Sequence, residues 1–176
     1  MKQVYLLTGR PGTGKTTIIK EVVAGMGDRA GGFYTEEIRH QGARQGFRLI
    51  TLDGQSTILA HVNTHSPYRV SKYGVDLAGF EKTGVSALER AAQQRLLVVI
   101  DEIGKMELFS DSFREAVSRL IDSDHQVLGT IMLHSDPWAD TIKNKPQVKL
   151  VEVTRTNHQA VLTEVCRWLQ SNRASN

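Results

Sequence analysis

The chain has 176 residues, 40% of them hydrophobic and 23% charged, and carries a net charge of +3. That length suits one domain, 1–176, with room for a buried core, and no apolar run approaches the roughly 20 residues a membrane helix needs. A single cysteine, Cys166, cannot close an internal disulfide, and the mild basic excess suits a polyanionic ligand without pointing to nucleic acid.

Residues 4–7 are apolar, too few for the ~7–15 residues of a signal-peptide core, and they run straight into glycines. They read as the first strand, 4–8, of a cytoplasmic protein. A glycine-rich loop, 9–14, follows. Residues 15–26 then place Ile18, Ile19, Val22, Val23 and Met26 at helical spacing, and the glycines around Met26 stop that helix. Segments 33–38, 47–52 and 57–62 read as three strands of a meander, with Asp53-Gly54 as the turn signal between the last two. Pro67 and Gly74 argue for irregular or short extended structure over 66–76. A helix is expected over 80–94.

Residues 96–100 form a continuous apolar run ending in Asp101-Glu102, the pattern of a strand covered on both faces. Ser112 and Glu115 have capping-box spacing and predict a helix start there. Segment 126–133 reads as a buried strand, 137–144 as a short helix and 149–154 as a last strand. Asn157 is placed to cap a final helix running to about 170, with Cys166 packed on its apolar face and a polar, frayed tail over 171–176. Helices alternate with apolar strands at both ends of the chain. The expected fold is therefore α/β: a mostly parallel central sheet covered by helices, with an added antiparallel meander.

Gly9-Arg10-Pro11-Gly12-Thr13-Gly14-Lys15-Thr16 matches G-x-x-x-x-G-K-[ST] at every fixed position, with an apolar strand before it and an amphipathic helix after it. Such a loop wraps phosphates with backbone N–H groups, so glycines permit close approach and positive φ. The helix opening at Lys15, Thr16 and Thr17 aims unsatisfied N–H groups and its positive dipole end at the anion. The Lys15 ammonium reaches the outer phosphates, and the Thr16 hydroxyl is a hard ligand for Mg²⁺. A P-loop also needs a carboxylate at the end of a neighbouring strand to hold the hydrated metal, and Asp101 supplies one. Glu102, next in sequence, is placed to orient and deprotonate an attacking water. Alternatively, the two acids only mark where a strand exits to solvent.

Several stretches carry a family resemblance. They are Gly32-Phe33-Tyr34-Thr35-Glu36-Glu37, Thr51-Leu52-Asp53-Gly54, Tyr73-Gly74-Val75-Asp76, the run from Ile100 through Asp101-Glu102-Ile103-Gly104-Lys105-Met106-Glu107 to Leu108, and Val153-Thr154-Arg155. With them the chain resembles the thermophile-type nucleoside-triphosphatases, whose vertebrate member is called cancer-related nucleoside-triphosphatase. The resemblance implies a RecA-like P-loop fold and slow, Mg²⁺-dependent hydrolysis of nucleoside triphosphates with loose base selectivity. It places nucleotide binding on Gly9–Thr16, to which the helix start adds Thr17, and on the stretch Leu97, Val98, Val99, Ile100, Asp101, Glu102, Ile103, Gly104. Arg10 stands where the family loop usually has proline.

Other candidates are weaker. Glu36 and Glu37 alternate across a strand, so at most one should point at any given site. Thr130 is a sensor of the terminal phosphate or a core threonine, and His134 reads as a loop histidine. Arg155, after the last strand, is a candidate nucleotide contact by stacking or by stabilising charge. Trp138 and Trp168 read as packing residues. His61 and His65 leave a strand without converging on a metal. The basic cluster Arg39, His40, Arg44, Arg48 reads as a solvated hairpin face. The expected partner is a nucleoside triphosphate and the expected state a monomer, with no membrane; nucleic acid is not the expected partner and stays open only as an alternative. Two alternatives stay open: a kinase acting on a nucleotide or other small acceptor, and a nucleotide-gated RNA-binding module.

Overall fold

The computed structural model describes residues 2–173. The nine strands among these residues belong to one sheet, in the order β5-β6-β4-β3-β2-β7-β8-β1-β9. The strands are β1 (Val4–Thr8), β2 (Ala30–His40), β3 (Ala43–Thr51), β4 (Ser56–His61), β5 (Arg69–Val70), β6 (Tyr73–Val75), β7 (Leu97–Ile103), β8 (Val127–Ile131) and β9 (Val148–Glu152). One half, β2-β7-β8-β1-β9, is parallel throughout. The other half, from β2 outward to β5, is antiparallel throughout. The expected meander is thus larger than a decoration: the stretch read as irregular or short extended structure supplies the two short strands β5 and β6.

The helices are α1 (Lys15–Ala24), α2 (Leu77–Phe80), α3 (Ser86–Gln93), α4 (Asp111–Ile121), α5 (Pro137–Lys143) and α6 (His158–Arg173), with a π-turn, Glu81–Val85, joining α2 to α3. Alternation along β1 explains how they divide. Tyr5 and Leu7 face a core shared with Ile18, Ile19 and Val22 of α1 and Val161, Val165 and Trp168 of α6. Val4 and Leu6 face the opposite core, built with Leu88 of α3, Phe113 and Val117 of α4, and Ile142 of α5. In that second core Phe33, Phe80 and Phe113 form a triangle with centroid separations of 5.9, 6.4 and 5.2 Å. Trp168 packs at 5.4 Å from Tyr5 and donates its Nε1–H to the Lys2 carbonyl at 2.9 Å, so it is a packing residue.

Four local expectations change. The cap of α4 is Ser110, whose hydroxyl accepts from the Phe113 N–H at 3.1 Å, so Ser112 lies inside the helix and the predicted capping box does not form. Asn157 does precede α6, but its side chain turns back, accepting from Thr154 N–H at 2.7 Å and donating to Glu152 O at 2.9 Å. Its Oδ1 therefore ties the helix start to the end of β9. Cys166 is exposed, because the buried stripe of α6 runs through Val161, Val165, Trp168 and Asn172 and leaves position 166 outside it. Helix α6 also continues through 171–173, where a frayed tail was expected, and the rest of that tail, 174–176, lies outside the described residues.

Candidate active site

The loop between β1 and α1 is held from behind by the β9–α6 connection. Gly9 has φ +143°, and a Cβ there would stand 2.5 Å from the Val153 carbonyl oxygen. Gly14 precedes α1 in the left-handed region, φ +89°, and a Cβ there would stand 2.6 Å from Cδ2 of His158. Only glycine meets both demands at these two ends of the loop. The first turn of α1 contains no acidic residue, so its free N–H groups face the loop without a competing carboxylate. Lys15 Nζ lies across the loop and donates to the carbonyls of Gly9 at 2.8 Å and Arg10 at 2.9 Å. Burial lowers its pKa, and Glu102 and Asp101 pull it back up.

Strand order brings the acids to this loop. The strand beside β1 is β8, so β7 stands one strand further away than expected. The carboxylate therefore arrives from the next strand but one. Asp101 is 3% exposed and is gripped at both oxygens. Thr16 Oγ1 donates to its Oδ2 at 2.8 Å, and Thr130 Oγ1, from the intervening β8, donates to its Oδ1 at 2.6 Å. Thr130 is thus neither a plain core threonine nor a free sensor: it orients Asp101. Desolvation raises the Asp101 pKa, against the two threonine hydrogen bonds that lower it.

Between Ile100 and Ile103, β7 advances three residues while β8 advances two, from Gly129 to Ile131. This bulge breaks strict alternation, and both Asp101 and Glu102 line the same cleft. Burial, and next the Asp101 charge, push Glu102 above the usual carboxylate range. A third acid, Glu107, follows β7 and is 3% exposed. Burial, with Glu102 as the next cause, holds it well above that range.

The cleft has a volume of about 960 Å³. One side is the loop and first turn of α1, the floor is Asp101, Glu102 and Gly104, and the other side comes from the antiparallel half of the sheet. Both Glu36 and Glu37 line it, contrary to the alternation argument. The pairing of β2 with β7 ends at Phe33 and Ile100, so beyond that point the cleft wraps a strand end and meets residues of either face. Lys20 pairs with Glu36 at 2.5 Å. Glu37 pairs with Arg39 at 2.7 Å and Arg44 at 3.2 Å. His134 lies exposed at the rim.

Of the remaining sequence candidates, Leu97, Val98, Val99, Ile100 and Ile103 are buried strand residues that support the floor from within. Thr13 lies in the loop, its hydroxyl donating to Arg10 O at 2.9 Å. Arg155 is exposed in the β9–α6 connection, outside the residues that line the cleft. The residues that sequence reasoning left without a role are Arg44, Lys105, Met106 and Glu107, all on the cleft wall. Lys105, Met106 and Glu107 were signalled by the run after the acidic pair that carries the family resemblance, and Arg44, from β3, by the basic cluster read as a solvated hairpin face.

Among the described residues no group of three or more His, Cys, Asp and Glu side chains could hold a metal ion. The donor pair present is a buried carboxylate bonded to a threonine hydroxyl at a helix N-terminus. Hard oxygens in that small number suit Mg²⁺, which keeps waters and phosphate oxygens for the rest of its octahedron.

A family described as "NTPase" matches residues 4–166. The chain is 50% identical over 168 residues to nucleoside-triphosphatase THEP1 of Thermotoga sp. (strain RQ2), covering 96% of each. It is 39% identical over 189 residues to the cancer-related nucleoside-triphosphatase of Homo sapiens, covering 98% of this chain and all of the relative. The crystal structure of THEP1 from Aquifex aeolicus superposes with a TM-score of 0.85 at 38% identity, covering 92% of this chain and 96% of that one.

Proposed function

The chain belongs to the NTPase family and is a nucleoside-triphosphatase, and from that premise we propose that it hydrolyses the terminal phosphate of a bound triphosphate with Mg²⁺, using Glu102 as the base. The observation that carries this reading is the contact between Thr16 and Asp101, with Glu102 beside it in the same cleft. It joins a phosphate-binding helix start to a carboxylate pair across 85 residues of sequence.

In this reading backbone N–H groups of residues 9–16 hold the phosphates, and Lys15 turns from the Gly9 and Arg10 carbonyls to the terminal ones. Glu102 takes a proton from the attacking water. A bond forms from that oxygen to the γ-phosphorus, and the bond to the β–γ bridging oxygen breaks, releasing nucleoside diphosphate. Its raised pKa brings the carboxylate closer to that of a useful base at neutral pH. Thr16 Oγ1 and the Asp101 carboxylate would hold Mg²⁺, whose chemistry is to neutralise phosphate charge. A loop that grips phosphates by backbone groups does not read the base, which supports broad acceptance of ATP, GTP and other triphosphates. The test is Glu102→Gln. Nucleotide binding should stay within about threefold while phosphate release falls by roughly 100-fold or more; undiminished turnover removes Glu102 from the mechanism.

A further inference from the structure

The cleft continues past the carboxylates. Four residues of its far wall, Arg44, Phe47, Val70 and Met106, also line a second cavity of about 410 Å³. Ser71, Lys72 and Tyr73 complete that chamber. Water attack on a phosphate does not call for it, since one water occupies about 30 Å³.

Its lining has a definite chemistry. Phe47 and Tyr73 meet edge to face at 5.4 Å. The Arg44 guanidinium lies 5.1 Å from the Phe47 centroid and 5.6 Å from that of Tyr73. Its Nε donates to Tyr73 Oη at 2.9 Å and its Nη1 to Glu37 at 3.2 Å. Nη2 has no hydrogen-bond partner among the described residues. Glu37 is shared with Arg39, so one carboxylate faces two guanidinium groups and the wall keeps a positive excess. Lys72 Nζ adds a second cation 5.6 Å from the Tyr73 ring. The chamber lining itself contains two cations and no carboxylate. Aromatic faces, a methionine and a valine accept a planar ring, and an arginine fork fixed by a tyrosine accepts an anionic oxygen.

We infer that this chamber is a second ligand site, taking a small molecule that carries a planar ring and an anionic group, beside the end of the triphosphate. The inference rests on the reading of residues 9–16 as the triphosphate site. Nucleoside monophosphates have the required chemistry and serve as probes. Equilibrium dialysis of AMP, GMP, CMP and UMP, in Mg²⁺ with a saturating non-hydrolysable ATP analogue, should show one monophosphate retained per chain. Arg44→Ala should weaken its binding at least tenfold. Lys72→Ala, on the exposed β5–β6 turn, should weaken it several-fold and leave phosphate release from ATP unchanged. The inference is overturned if the analogue displaces all bound monophosphate, if none of the four binds, or if Lys72→Ala binds them as tightly as the native chain. Direct titration of the analogue and the Glu102→Gln assay test the triphosphate site separately, so a failure of the second site is distinguishable from a failure of the first.

Discussion

Replacing Thr130 by valine isolates the hydrogen bond that orients Asp101. The two side chains are nearly isosteric, Thr130 is 1% exposed, and its hydroxyl donates to Asp101 Oδ1 at 2.6 Å. The substitution therefore leaves no cavity and removes one donor from a buried carboxylate. Losing a hydrogen bond to a charged, buried acceptor costs about 1.5–3 kcal/mol. For a chain of this size each kcal/mol moves the melting temperature by roughly 2–4 °C, so a loss of about 3–12 °C is expected. Urea titration should show the same loss in midpoint with an unchanged slope. Thr130→Ser keeps the hydroxyl and gives up a methyl group, at about 1 kcal/mol. Because Asp101 would lose its fixed orientation, the Mg²⁺ concentration for half-maximal phosphate release should rise roughly tenfold in the valine variant and little in the serine one. A valine variant that melts within about 1 °C of the native chain, with the same Mg²⁺ requirement, would refute the assignment of Thr130 as the residue that holds Asp101.

Glu107 is buried with a raised pKa, so the folded state holds its proton where the unfolded chain has released it. Its contribution to stability is complete below the ordinary glutamate range and declines as pH rises toward the folded value. Glu107→Gln should therefore gain melting temperature relative to the native chain between pH 5 and pH 8; a constant difference across that window contradicts a protonated Glu107. Gly9→Ala places a Cβ 2.5 Å from the Val153 carbonyl at φ +143°, so it should cost about 1–3 kcal/mol in a thermal melt and weaken triphosphate binding in a titration. Cys166 is exposed, so one thiol per chain should react with Ellman's reagent without denaturant, and a thiol that reacts only after unfolding would place it inside the helix packing.

Local chemistry made much of the molecule legible. The stretch from Val4 to Thr16 announces strand, loop and helix, because a phosphate loop needs glycine at fixed places and a helix start immediately after it. The continuous apolar run before Asp101 likewise marks a strand buried on both faces. Short-range patterns failed where neighbours decided the outcome. Ser112 and Glu115 have the spacing of a capping box, yet Ser110 takes the cap two residues earlier. Residues 66–76 carry Pro67 and Gly74, which left irregular and short extended structure both open, and β4 decides between them by offering Ala60 and His61 as partners to β6.

The sequence alone determined the phosphate loop, the pairing of Asp101 with Glu102 and the alternation of helices and strands, since each is written in consecutive residues whose types obey local sterics and periodicity. Tertiary structure decided everything that depends on strand order. With β8 between β1 and β7, Thr130 falls between Thr16 and Asp101 and holds the carboxylate, a role no spacing in the chain encodes. Arg44 and Phe47 reach the cleft because the antiparallel half continues the same sheet, and Cys166 is exposed because one helix face had already been taken by Val161 and Val165. Side chains distant in sequence meet only after the sheet is assembled, and the order of its strands is a property of the whole chain.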